Sequence, residues 1–290
     1  MLHGILNYLQ EEEFIKKNEN GKWDITNLGA ILFAKNLNDF KNIKRKSIRV
    51  IQYDGKNKLK TIREEVGDKG YAIIFEGIIK YINTIIPKNE IIGEALRKEV
   101  SMYPELAIRE AVANSLVHQD FNISGTGPMV EIYTDRIEIT NPGKPLVKID
   151  RFIDNPPKSR NEQLASFLRR IGVCEERGSG FDKIVYSTEI YQLPAPKIEV
   201  YDEDTKVTLY AHMAYEDMSK EDKIRACYMH ACLKYVSNEH LTNASLRKRF
   251  GITQNSVVSK VIKKALDDEK IKPYDKDTAP RYMEYIPYWA

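Results

Sequence analysis

The sequence predicts an α+β fold, an α/β sandwich with helices on one face of a mainly antiparallel sheet, followed by a C-terminal winged helix-turn-helix. Three observations carry this. PMVEIYT and RIEIT alternate apolar and polar side chains on either side of Asp135, as a half-buried antiparallel pair should. KIEVY and KVTLYAH form a second hairpin around residues 202–205, with helix-period stretches in between. From Asp217 the pattern becomes helix, helix, turn, helix and a β-prone end, which is a winged-helix order.

Three segments follow along the chain. In residues 1–45, Leu2, Ile5, Leu6 and Leu9 fall at helical spacing, Asn20-Gly21 makes a tight turn before Trp23 and Ile25, and Thr26 or Asn27 caps a helix over LGAILFAKNL. These elements are too few for a core of their own, so an arm or the remnant of a small domain is expected. Residues 46–214 begin with the strand KSIRVIQYDG and an amphipathic helix with Ile74, Ile78, Tyr81, Ile82 and Ile85 on one side. The helix PELAIREAVANSLV comes next, with Pro104 suited to its first turn. After the two strands, a loop rich in Pro and Lys leads to the helix NEQLASFLRRIG, to RGSG and to the helix FDKIVYSTEIYQ. Residues 215–290 hold the winged-helix pattern.

The chain has 290 residues, 42% hydrophobic, enough to bury an ordinary core. A net charge of +3 is too mild to make a polyanion the partner of the whole surface, so any basic footprint is local. Cys174, Cys227 and Cys232 make no even framework and no C-x-x-C, which favours reduced thiols over disulfides or zinc. The acidic turn after MLHGILNYLQ argues against a signal peptide, and no apolar run approaches the ~20 residues of a membrane span. A cytoplasmic location is expected.

The chemistry concentrates in REAVANSLVHQD, where Glu110, Asn114 and His118 recur every four residues and line one stripe of a helix. A carboxylate one turn from an amide suits nucleotide hydrolysis on magnesium, the amide oxygen serving the metal and the carboxylate a water. The same spacing also serves a solvated helix face. IEITNPGKP runs a strand into Asn141-Pro142-Gly143, where Gly143 lets the backbone approach a planar ligand; NPG also makes a plain β-turn. In ERGSGFDKI two glycines open a helix whose free N–H groups can cradle phosphate, though they equally serve a bare helix start.

Taken in order, these residues resemble the GHKL, or Bergerat, ATP-binding fold of gyrase, MutL, the large heat-shock chaperone and histidine kinases. They are more closely similar to bacterial proteins labelled transcriptional regulators or likened to the C-terminal part of the RecG helicase. The hallmark YPE-x-ALREA-x-x-N-x-x-x-HRDY, DRLEI-x-NPG, Arg-Asn loop and RGTG stand here as YPELAIREAVANSLVHQDF, DRIEITNPG, KSRNEQLA and ERGSGFDKI. The resemblance spans about Ser101 to Leu209. It implies a Bergerat-type sandwich binding ATP and Mg²⁺, with Glu110 as general base and Asn114 as metal ligand. Asn141 and Gly143 match the first glycine box, and Gly178 and Gly180 the second; His118, Arg160, Arg177 and Ser179 fall among the nucleotide-contacting positions. Two departures stand out: Asn141 replaces an aspartate that accepts from the adenine amino group, and Lys144 replaces a glycine. Such regulators commonly carry an AlbA-like (Schlafen-type) domain that this sequence does not contain, so a natural short form or a fragment is expected.

Between Leu241 and Ala265 there is no acidic residue, while Arg247, Lys248, Arg249, Lys260, Lys263 and Lys264 lie there. A local phosphate-binding patch on double-stranded DNA is expected. Gln254, Asn255, Ser256 and Ser259 join Lys260, Lys263 and Lys264 on the recognition helix, and amides at its start suit base edges. A winged helix used only for protein contacts fits the same pattern. Tyr282, Tyr285, Tyr288 and Trp289 read as packing aromatics. The functional expectation is a nucleotide-controlled DNA-binding transcriptional regulator, acting as a homodimer or higher homo-oligomer. An ATPase effector in DNA processing or defence, with weak Mg-dependent hydrolysis, and a nucleotide-free scaffold are the other readings.

Overall fold

The computed structural model describes residues 2–92, 97–156, 158–174 and 180–290. Helix α1 (Leu2–Glu11) leads through a short hairpin, β1 (Ile15–Lys17) and β2 (Trp23–Ile25), into α2 (Asn27–Phe33). Thr26 caps α2, its hydroxyl accepting from the Gly29 amide at 3.0 Å. This helix closes at Ala34, short of the LGAILFAKNL expected. Buried Ala30, Ile31 and Leu32, with Leu37 and Ile43, merge into the core of the residues that follow. Phe14, Phe33 and Phe167 form an edge-to-face triangle with centroids 5.1–5.2 Å apart. Beside it the Gln163 amide donates to Glu13 at 2.8 Å, and Arg170 grips Glu12 with both terminal nitrogens.

The central sheet is assembled from β3 (Ile48–Tyr53) and β4 (Thr61–Gly67), then, after α3 (Tyr71–Ile85), a separate hairpin of β5 (Lys88–Ile92) and β6 (Arg97–Ser101), and α4 (Glu105–Val117), from β7 (Met129–Ile132) and β8 (Arg136–Pro142). Helices α5 (Glu162–Arg170) and α6 (Gly180–Ile190) precede the last pair, β9 (Lys197–Val200) and β10 (Asp204–Tyr210). Strand order is β4-β3-β7-β8-β10-β9, antiparallel throughout except for the parallel pair β3 and β7. Alternation decides the faces. Val50, Val130, Ile132, Ile137, Ile139 and Leu209 point into the core against Phe75, Ile78 and Ile82 of α3 and Ile108 and Val112 of α4. On the opposite face Tyr53 and Tyr133 stack at 5.0 Å, and the Tyr53 hydroxyl donates to buried Glu131 at 2.9 Å. The expected mixed sandwich is therefore present, with β8 running two residues beyond RIEIT, through Asn141 and Pro142.

Beyond the sheet lie α7 (Lys220–Val236), α8 (Asn243–Phe250), α9 (Asn255–Asp267) and a hairpin of β11 (Ile271–Pro273) and β12 (Tyr285–Pro287). Capping boxes at Ser219 and Thr242 start α7 and α8, and Gly251 ends α8 at φ 66°. Leu246, Val258, Ile262 and Ala265 are buried among these helices, continuous with the central core. Among the described residues no helix is long and apolar enough to cross a membrane.

Candidate functional site

Helix α4 is buried on most of its surface, and along its polar stripe Glu110 is buried while Asn114 and His118 are half-buried. Glu110 is only 5% exposed. Its carboxylate lies at the first turn of α6, because a Cβ built on Gly180 would stand 2.9 Å from Glu110 Oε2 and 3.5 Å from Asn114 Nδ2. The helix start supplies amide dipoles that offset part of the cost of burying a carboxylate. One turn further on, His118 closes α4, its amide donating to the Asn114 carbonyl at 2.9 Å. Burial, with the Arg160 charge adding to it, holds the His118 imidazole below its usual range, so it is neutral at pH 7.

The facing wall comes from the end of the sheet. Asn141 on β8 pairs with Thr205 on β10, and strand alternation turns both, with Ile139 and Val207, to the core side. Gly143 follows at φ +110°, a conformation that favours glycine, and packs against the backbone of His118 and Asp120. The Thr205 hydroxyl donates to the Gly143 carbonyl at 2.6 Å, and the Asp120 amide to the Pro142 carbonyl at 2.8 Å. The turn is thus tied to both β10 and the end of α4.

Between these walls lies a cavity of about 730 Å³, lined by Glu110, Asn114, His118, Asn141, Gly143 and Gly180 together. This lies in the 300–1,000 Å³ range of small-molecule sites, roughly. Three stretches of chain, in α4, at the end of β8 and at the start of α6, thus line one cavity. The described loop residues Lys144, Leu146, Val147, Phe152, Asn155 and Pro156 roof it. Phe152 meets Phe181 of α6 edge-to-face at 5.4 Å. Among the described residues no group of three or more His, Cys, Asp or Glu side chains is placed to hold a metal ion. The Asn114 amide oxygen, beside a carboxylate able to orient water, could serve only a cation that draws most of its ligands from phosphate and water.

Arg160 does not line this cavity. Its guanidinium donates to Asp120 at 3.1 Å and to the Lys144 carbonyl at 2.9 Å, bracing the start of the roof. Arg177, Gly178 and Ser179 lie outside the described residues. Thr205, Val207, Phe152 and Phe181 went unremarked in the sequence. Alternation in DTKVTLY puts Thr205 and Val207 on one face, and that signal could have found them; the roof aromatics leave no comparable trace.

On α8 and α9, Lys248, Gln254, Asn255, Ser256, Ser259, Lys260 and Lys263 are exposed. Lys264 pairs with Asp268 at 2.7 Å, and half-buried Arg247 donates to Asn243 at 3.1 Å and to the Thr253 carbonyl at 3.0 Å. Arg249 is a correction to the expected phosphate patch. It is 5% exposed, donates to the Leu193 carbonyl at 2.6 Å and faces Glu189 of α6, so it holds α8 to the end of α6.

Residues 125–209 match the family model described as "Putative ATP-dependent DNA helicase recG C-terminal", an ATPase-type domain. The match spans β7 through β10, so Asn141, Gly143 and Gly180 lie within it, whereas Glu110 and Asn114 join the site by geometry. The fold is similar to that of a crystal structure of the DIP2311 protein from Corynebacterium diphtheriae, with a TM-score of 0.59 at 16% identity over 96% of this chain. This chain covers 56% of that one. No curated protein matches.

Proposed function

We propose that this protein is a nucleotide-controlled DNA-binding regulator, in which ATP and Mg²⁺ occupy the cavity over α4 and residues 215–290 act as a winged helix on duplex DNA. The observation that carries the nucleotide half is the absence of a side chain at Gly180, which leaves room directly against Glu110 and Asn114. A helix start opening onto a carboxylate and an amide is suited to phosphate oxygens bridged by a divalent cation. Asn114 would hold the cation, Glu110 would orient a water, and Asn141 would meet the base with a neutral acceptor where a charged one would bind more tightly. The family match over residues 125–209 supports this assignment.

The DNA half rests on the exposed row of Gln254, Asn255, Ser256, Ser259, Lys260 and Lys263 along α9, next to the hairpin of β11 and β12. Amides and cations on one exposed helix face are suited to a major groove, and two copies would read a palindromic site. Hydrolysis as the output is a second reading, favoured by the burial of Glu110 beside Asn114, where a general base would sit. Calorimetry of the full chain with Mg-ATP, followed by steady phosphate release with Glu110→Gln as control, separates the readings. No heat of binding at millimolar Mg-ATP refutes the nucleotide assignment, and release abolished by Glu110→Gln favours the ATPase.

A further inference from the structure

We infer that Tyr228, Tyr288 and Trp289 are positioning residues for the roof of the nucleotide cavity, so that the 220–290 unit sets how the cavity closes. This rests on the nucleotide reading above for its ligand, but its geometry stands by itself. The roof residues between Gly143 and Pro156 have two sides. Toward the cavity they present Lys144, Leu146, Val147 and Phe152. Their other side is a single 3-10 turn, Ile149–Arg151, held from outside by the helical unit. The Tyr228 hydroxyl donates to the Asp150 carbonyl, and the Tyr288 hydroxyl to the Asp150 carboxylate. Trp289 Nε1 donates to the Tyr228 hydroxyl at 3.1 Å, and its ring lies 4.6 Å from the Arg151 guanidinium. Arg151 in turn donates to Asp154 at 2.8 Å and 2.9 Å.

Phe152 is the residue immediately after this turn, and it points the opposite way, into the cavity against Phe181. A rotation of the turn therefore moves an aromatic side chain at the ligand. The grip is directional, because Asp150 accepts through both its carbonyl and its carboxylate and so fixes the orientation of the turn as well as its place. A second connection runs through α6, about 16 Å long at 1.5 Å per residue. Its first residue, Gly180, faces Glu110 and Asn114, while near its far end Glu189 accepts from or pairs with His230 at 2.9 Å and faces Arg249. The helical unit thus holds both the roof and one wall of the same cavity. Binding energetics require that such coupling act in both directions: whatever reorients the helices changes the ligand's affinity, and the ligand biases the helices.

Asp150 does not line the cavity, so an effect of its replacement on nucleotide binding must pass through the roof. The test uses the full chain with four variants: Tyr288→Phe, Trp289→Leu, Asp150→Leu and Asp150→Asn. The first three should weaken Mg-ATP binding by at least about fivefold, the low end of site-to-site coupling. Asp150→Asn keeps an acceptor oxygen for Tyr288 and should restore most of that affinity, a rescue that a general loss of stability would not give. Hydrogen exchange over residues 146–156, measured without nucleotide, should speed up in the same three variants while exchange in α3 and β8 is unchanged. Exchange over 146–156 equal to that of the wild type overturns the inference, as does wild-type Mg-ATP affinity in all three weakened variants. If the wild type itself binds no Mg-ATP, the nucleotide reading falls, and the exchange measurement alone decides whether these residues hold the roof.

Discussion

Replacing Gly180 isolates the floor of the cavity from the stability of the fold. The alanine Cβ would stand 2.9 Å from Glu110 Oε2, against 3.4 Å for the start of ordinary contacts, so the carboxylate must retreat by about 0.5 Å. Asn114 Nδ2 at 3.5 Å is already in ordinary contact and stays. Because Glu110 is enclosed, the retreat distorts its orientation rather than swinging it into solvent. A displacement of half an ångström in a positioned group is a fraction of the 1 Å that can cost about a hundredfold, so Gly180→Ala should weaken Mg-ATP binding about tenfold, near 1.4 kcal/mol. Gly180 is the first residue of α6, where alanine gains little of its interior helical preference, so the crowding should lower the melting temperature modestly without unfolding the protein. Gly180→Val adds two methyl groups toward Asn114 and should abolish binding. Differential scanning calorimetry establishes the fold, and titration calorimetry with Mg-ATP reads the affinity. A folded Gly180→Val protein with wild-type affinity would refute the reasoning and leave RGSG as a helix start.

Asn114→Ala should lower nucleotide affinity in magnesium while leaving affinity in EDTA unchanged, since only a metal ligand is lost; calorimetry in both buffers decides. Asp182, on the first turn of α6, is pushed up to about 6, first by burial and then by the nearby Asp154 charge. Its protonated form favours the fold below about pH 4, and that contribution is lost as pH rises through 6, so Asp182→Asn should stabilise the protein at pH 7 by on the order of 1 kcal/mol after allowance for solvent, and not at all near pH 4. Denaturant melts at the two pH values check the sign. Lys263→Ala should weaken binding to every duplex and lower the salt slope by about 1, whereas Gln254→Ala should cost about 1–3 kcal/mol of discrimination at one base pair. Fluorescence titrations across salt and sequence separate them, and no duplex binding at low salt removes the DNA reading. Arg249→Ala should instead destabilise the fold by about 3 kcal/mol, because Glu189 loses a partner across a buried contact; a melt identical to wild type would return Arg249 to the surface patch.

The parts of the site that periodicity determines were legible. Four-residue spacing put Glu110, Asn114 and His118 on one stripe, and two-residue alternation built β7, β8 and β10, whose ends meet that stripe. Burial of the stripe was not legible, because Glu, Asn and His look the same on a wet face and a dry one. Arg249 failed for a related reason. A charge count treats every cation as surface, and what buries this one is Glu189, which lies elsewhere in the chain and is brought alongside by α6 packing on α7. Tyr288 and Trp289 do pack as aromatics, yet the turn they hold lies 138 residues earlier, beyond any local pattern. The β5–β6 hairpin left no strong alternation to follow, and the aromatic triangle of Phe14, Phe33 and Phe167 joins segments that share no sequence period.

The parallel register of β3 on β7 has a consequence for how the molecule comes together. Arg49 pairs with Met129, and the 79 residues between them include α4, so the helix that carries Glu110 and Asn114 belongs to the crossover joining two central strands. Closing so long a connection costs chain entropy before any of its contacts are gained, the property that makes long-range parallel pairing intrinsically slow. The helix that carries Glu110 and Asn114 is therefore placed by a long-range strand pairing as well as by its own packing.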